Sequence, residues 1–188
     1  MQDRFLTRRT LLTAGVAAGL AGSAAALGIA ADNSSAMQFA EASGAAPEFV
    51  GITQWLNSNP LTIQSLRGKV VMVDFWTYGC YNCVNTLPHV TKLYEKYKSQ
   101  GLVVVGIHTP EFPFEKVTSN VQTAIKRHGI TYPVAQDNNY ATWNNYKNQY
   151  WPAQYIVDKG GRVVYTHVGE QAYDEIERTV ARLLTATS

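Results

Sequence analysis

Val70-Val71-Met72-Val73-Asp74-Phe75-Trp76-Thr77-Tyr78-Gly79-Cys80-Tyr81-Asn82-Cys83-Val84-Asn85-Thr86-Leu87-Pro88 is the stretch from which the rest of the chain is read. Its first half is an apolar, β-branched run, the pattern of a buried strand. The run breaks at Gly79 and delivers two cysteines with two residues between them. Beyond them the apolar residues recur at helical spacing, with Val84, Leu87, Val90, Leu93 or Tyr94, and Tyr97 on one face. Cys80 therefore falls at a strand-to-helix turn, at or just before the helix N-terminus. Unpaired backbone N–H groups there stabilise a thiolate. A cysteine so placed has its pKa lowered from about 8.5 into a range of about 3.5–7.5. Cys83, one turn later, is placed to resolve a mixed disulfide formed by Cys80.

Two other readings of the pair compete with redox chemistry. As a structural staple, its four-residue loop would contribute about 2 kcal/mol in the chain-entropy model, less than the roughly 3 kcal/mol of a 15-residue loop. As a metal site, two cysteines alone cannot close a tetrahedral zinc centre. Asp74 is the one carboxylate on the apolar strand. Burial would raise its pKa and let it pass a proton to or from Cys83. The alternative is a salt-bridged structural carboxylate, for which Lys69, ahead of the strand, is a poor partner.

The stretch resembles the thioredoxin superfamily. Asp74 lies six residues before Cys80, and Pro88 lies five after Cys83. These offsets match that family's buried strand carboxylate and helix-kinking proline, and Trp76 matches its active-site tryptophan. Further along, Tyr150-Trp151-Pro152-Ala153 leads into an apolar strand, and Pro152 matches the family's cis-proline, which faces the cysteines. The resemblance implies that Trp76, Trp151 and Pro152 dock the backbone of a protein substrate, with Cys80, Cys83 and Asp74 doing the chemistry. More closely, the chain is similar to exported TlpA/ResA-like proteins and to DipZ-type thioredoxin-like domains. The strings that carry this are Trp76-Thr77-Tyr78-Gly79-Cys80-Tyr81-Asn82-Cys83, His108-Thr109-Pro110-Glu111-Phe112 and Tyr132-Pro133-Val134-Ala135. The implied fold is an α/β thioredoxin fold, a central mixed sheet flanked by helices, with an N-terminal hairpin and an extra helix–strand insertion.

The remaining pattern fits that outline. Val50–Leu56 and Leu61–Ile63, around the turn-forming Asn57-Ser58-Asn59-Pro60, predict the hairpin. Leu102–His108 predicts a second buried strand, parallel to the first through the helix. Val117, Val121, Ala124 and Ile125 predict a helix closed by Gly129, followed by a short strand over Tyr132–Ala135 and a short helix over Ala141–Tyr146. Lys159-Gly160-Gly161 predicts a tight turn into a return strand, Arg162–Val168. Ala172, Tyr173, Ile176, Val180 and Leu183 mark a closing amphipathic helix.

Residues 1–31 read as a signal peptide or an uncleaved anchor: charged residues with paired Arg8-Arg9, an uncharged Ala/Gly-rich run, then small residues. The paired arginines resemble a twin-arginine export signal. Residues 32–47 read as a flexible linker, and 48–188 as the thioredoxin-like domain. Setting aside Arg4, Arg8, Arg9 and Asp3 leaves 13 basic and 13 acidic side chains, so the folded part carries no electrostatic case for nucleic acid. The expected protein is an extracytoplasmic thiol–disulfide oxidoreductase without a dissociable cofactor or metal. It would act on protein thiols and disulfides, with the reducing direction favoured and a membrane electron donor of the DipZ/CcdA type as a possible partner. It would meet the membrane only through a retained N-terminal segment.

Several residues depart from the family pattern. Gly79 stands where thioredoxins often carry an aromatic residue. Tyr81-Asn82 is neither the Gly-Pro of reducing thioredoxins nor the Pro-His of periplasmic oxidants. Thr86 stands where TlpA/ResA-like reductases carry a glutamate, so Glu111 is the candidate to supply a carboxylate from a neighbouring loop. His89 is expected to be exposed, and His108 to be a core or capping residue. The alternative function is a Sco-like copper-binding protein using Cys80, Cys83 and His167, although Sco proteins space their cysteines by three residues.

Overall fold

A computed structural model describes residues 44–186. The expected signal peptide or anchor, and the linker as far as residue 43, lie outside the described residues. Among the described residues no helix is long and apolar enough to cross a membrane.

Among the described residues seven strands form one mixed sheet: β1 (Gly44–Ala45), β2 (Gln54–Leu56), β3 (Val70–Trp76), β4 (Leu102–His108), β5 (Val134–Gln136), β6 (Ala153–Val157) and β7 (Arg162–Val168). Their order across the sheet is β1-β7-β6-β3-β4-β5-β2. β3, β4 and β5 run parallel, and β6, β7 and both short N-terminal strands pair antiparallel. The helices are α1 (Tyr81–Tyr97), α2 (Thr118–Arg127), α3 (Ala141–Asn145) and α4 (Tyr173–Thr185). This is the mixed sheet flanked by helices that the resemblance implies, with one extra helix–strand pair within α2–β5–α3.

β3 is buried along its whole length, as a central strand covered on both faces must be. Alternate residues divide between two cores. Met72 and Trp76 pack with Leu87, Val90, Ile125, Ile176 and Val180 under α1, α2 and α4. Val71, Val73 and Phe75 pack with Trp143, Tyr146 and the N-terminal segment on the other face.

The N-terminal hairpin does not form. β1 and β2 instead close opposite edges of the sheet, β1 on β7 and β2 on β5. Two polar side chains account for the difference. Glu48 accepts the N–H groups of Ile63 and Gln64 at 2.8 and 2.9 Å, so this stretch turns instead of laddering. Asn57, in the left-handed region at φ 62°, donates its amide to the carbonyls of Ile130 and Tyr132 and draws the chain toward β5. The fold also begins earlier than residue 48, because Gly44–Ala45 is a strand and Ala46 is buried.

Candidate active site

Cys80 is the N-cap of α1 and is half-buried, and its Sγ accepts the N–H of Cys83 at 3.2 Å. Cys83 is only 1% exposed, inside the core under α1. The two form a disulfide with Cα atoms 5.2 Å apart. The asymmetry has a local cause. β3 ends at Trp76, the Thr77–Gly79 turn lifts the chain clear of the sheet, and one helical turn then returns residue 83 to the buried stripe with Leu87, Val90 and Tyr97.

Asp74 shares with Met72 and Trp76 the sheet face that packs on α1, where Cys83 is buried. Its carboxyl is fully buried and accepts the Gln154 amide at 3.2 Å from directly across the β3–β6 ladder. Burial dominates over that hydrogen bond and pushes the Asp74 pKa up to about 7. Gln154 in turn lines a cavity of about 240 Å3 between α1 and α4, bounded by Thr86, Val90 and Ile176. Solvent-sized space therefore lies one side chain away from Asp74.

Trp151-Pro152 is a cis peptide just before β6. Ala153 pairs with Phe75, so the register carries Pro152 alongside Trp76, at the end of β3 that leads to Cys80. Trp151 is held by its indole N–H to the Thr109 carbonyl at 3.1 Å and by its ring against Trp143, centroids 4.2 Å apart. Trp143 is fixed by Asp137, which accepts the N–H groups of Thr142 and Trp143 at the start of α3. Trp151 remains half-exposed.

Trp76 does not join that surface. It is wholly buried, edge-on to His108, because an even-numbered β3 residue points into the α1 core. Its expected substrate contact is corrected to a packing role beneath the site. Exposed rings nearby in sequence fall elsewhere: Tyr81 (78% exposed), immediately after Cys80, and Tyr150 (60%), immediately before Trp151, with Phe112 and Phe114 also exposed.

The carboxylate from a neighbouring loop is Glu115 and not Glu111, which is exposed. Glu115 is 0% exposed. Its Oε1 accepts the Thr77 hydroxyl at 2.5 Å and the Gly79 N–H at 2.8 Å. Its Oε2 accepts the N–H groups of Glu111 and Phe112 at 2.6 and 2.8 Å. Charge count cannot separate two glutamates four residues apart. The usable signal was Pro113, which starts a 3-10 turn over Pro113–Lys116 and rolls residue 115 inward. Thr86 is buried and returns its hydroxyl to the Asn82 carbonyl at 2.9 Å.

His108 is buried, and desolvation lowers its pKa to about 4. Its Nε2 lies 3.3 Å from the Thr77 hydroxyl. His89 is exposed on α1 and stacks on Tyr173. His167 contacts the Glu170 carbonyl through Nε2 at 3.0 Å. Among the described residues no three His, Cys, Asp or Glu side chains gather as a metal-holding group, so the Cys80–Cys83–His167 copper arrangement is not assembled here.

Comparison with known proteins gives concordant matches. A Redoxin family model matches residues 27–183. Protein DipZ of Mycobacterium bovis is 51% identical over 147 residues, covering 77% of this chain and 21% of that protein. The chain thus spans about a fifth of that relative's length. Thiol-disulfide oxidoreductase YkuV of Bacillus subtilis is 30% identical over 141 residues, covering 75% of this chain and 95% of YkuV. The solution structure of a thioredoxin-like protein in the oxidized form superposes with a TM-score of 0.71 at 29% identity, covering 79% of this chain and 99% of that one.

Proposed function

The chain belongs to the redoxin family of thioredoxin-like proteins, among thiol–disulfide oxidoreductases, and from that premise we propose that it exchanges disulfides with protein substrates, in the reducing direction, on the outer side of a membrane. The observation that carries the reading is the division of labour between its two sulfurs. Cys80 is half-exposed on a helix N-terminus, while Cys83 is buried one turn behind it. In the reducing direction the Cys80 thiolate attacks one sulfur of a substrate disulfide, and the other leaves as a thiolate that takes up a proton. Cys83 loses its proton to Asp74 and attacks Cys80 Sγ. The second substrate sulfur leaves as a thiolate and takes up a proton from water while Asp74 returns its proton to water. The substrate therefore departs as a dithiol that has received two electrons and two protons, and Cys80–Cys83 remains as the disulfide. Trp151, half-exposed, forms the surface on which the substrate backbone lies, and the cis Pro152 beside it is buried and sets the direction of the chain there. Recycling the disulfide requires an electron donor, and the likeness to DipZ favours a membrane protein of that type.

Export rests on the pattern of residues 1–31. The reducing direction is tested by equilibrating the Cys80–Cys83 pair with glutathione. A potential near −270 mV, where thioredoxin lies, is the expected result, and one near −120 mV, typical of a strong oxidant, would reverse the direction.

A further inference from the structure

We propose that Glu115 is a positioning residue that clamps the turn carrying Cys80 and, as a buried negative charge beside it, biases the Cys80–Cys83 pair toward the reducing side. This rests on the oxidoreductase reading above and adds a determinant of its direction. Four donors converge on the carboxylate from two separate segments, Thr77 and Gly79 on the turn and Glu111 and Phe112 on the loop after β4. With donors on both oxygens, Glu115 sits there as an acceptor-only carboxylate. Thr77 has one hydroxyl proton and spends it on Glu115, so its contact with His108 is completed by a proton on Nε2 of the ring. His108 is neutral above its lowered pKa and brings no compensating charge.

Gly79 is the sequence counterpart of this arrangement. A Cβ on residue 79 would clash with Glu115 Oε1 and lie 3.5 Å from the Phe112 ring. The glycine that departs from the thioredoxin pattern is therefore required by the carboxylate. The electrostatic consequence has a definite sign. The start of α1 favours a thiolate on Cys80. A fixed, poorly screened anion hydrogen-bonded to the preceding residue opposes it. A less stabilised thiolate makes the dithiol a better reductant, so the potential falls.

The test compares wild type, Glu115→Gln and Gly79→Ala in the equilibrium of the Cys80–Cys83 disulfide plus two glutathione thiols with the dithiol plus glutathione disulfide, a two-electron, two-proton exchange. The Cys80 pKa is read in parallel from thiolate absorbance in a Cys83→Ser background. Glu115→Gln should shift the equilibrium about tenfold toward the dithiol, which is about 30 mV upward, and lower the Cys80 pKa. Gly79→Ala leaves the carboxylate charged but pushes Oε1 off the turn, so it should lower that pKa less than Glu115→Gln does. A folded Glu115→Gln protein with unchanged potential and pKa would overturn the proposal. Should that variant not fold, wild type decides. A Cys80 pKa of about 7 or higher, the thioredoxin value or above, supports the opposing charge, and one below about 7 overturns it. Wild type that does not exchange with glutathione at all would overturn the oxidoreductase reading and this inference with it, a result distinct from exchange that is indifferent to Glu115.

Discussion

Gln154 donates its side-chain amide to Asp74 Oδ1 at 3.2 Å from the facing position on the neighbouring strand. One neutral hydrogen bond does not repay the burial of a carboxylate, which is why the Asp74 pKa rises from 3.8 to about 7. The folded state therefore holds this proton where the unfolded chain has released it. Its contribution to stability is complete below about pH 4 and is lost as pH rises to about 7, by about 4 kcal/mol.

His108 works in the opposite sense. Its folded pKa of about 4 lies below the ordinary 6.5, so its contribution is complete above about pH 6.5 and is lost as pH falls through about 4, by about 3 kcal/mol. The two slopes offset each other in wild type. Asp74→Asn removes the Asp74 slope, so the histidine's rise in stability from pH 4 to 6.5 should emerge, while Asp137, whose pKa burial also raises, acts equally in both proteins. At pH 8 the variant should exceed wild type by about 2–4 kcal/mol, while near pH 4 the two should agree within about 1 kcal/mol. Denaturant unfolding across this range checks both signs. The same variant should slow release of the substrate from Cys80, read by stopped-flow with a disulfide-containing protein.

Tyr81 and Tyr150 flank Cys80 and Trp151 in sequence and are mostly exposed, so they contribute little to the fold. Tyr81→Ser with Tyr150→Ser should change stability by no more than about 1 kcal/mol. If these rings meet the substrate, kcat/KM toward a protein disulfide should fall about five- to tenfold, at about 1 kcal/mol for lost aromatic contact. Reaction with dithiothreitol, which needs no such surface, should stay the same. An equal loss toward both would place the effect in the cysteine pair instead.

The central strand, the parallel β3–α1–β4 unit and the cysteines at the helix start were legible because each is a local pattern: an apolar run, a change of period, a fixed spacing. The edges were less so. Val50–Leu56 and Leu61–Ile63 look like hairpin arms, and only the long-range bonds of Glu48 and Asn57 send them elsewhere. At the site, the departure at Gly79 was visible, but its cause lies 36 residues away in Glu115. The resemblance implies a substrate contact for Trp76, but Trp76 lies on β3, a strand buried on both faces, so neither register would leave it at the surface.

The paired arginines carry the export proposal independently of the folded domain. Arg8→Lys with Arg9→Lys should leave full-length precursor in the cytoplasm of the source cell, seen by fractionation. Undiminished export would remove the twin-arginine route while leaving other export routes open.

The two sulfurs differ in exposure and in place on α1, and alkylation of the reduced protein near neutral pH, resolved cysteine by cysteine by mass spectrometry, measures that difference directly. Cys80, half-exposed at the start of α1, should be modified at least about tenfold faster than Cys83, which the core covers. Equal rates, or a faster Cys83, would contradict the assignment of Cys80 as the attacking sulfur and Cys83 as the one that resolves.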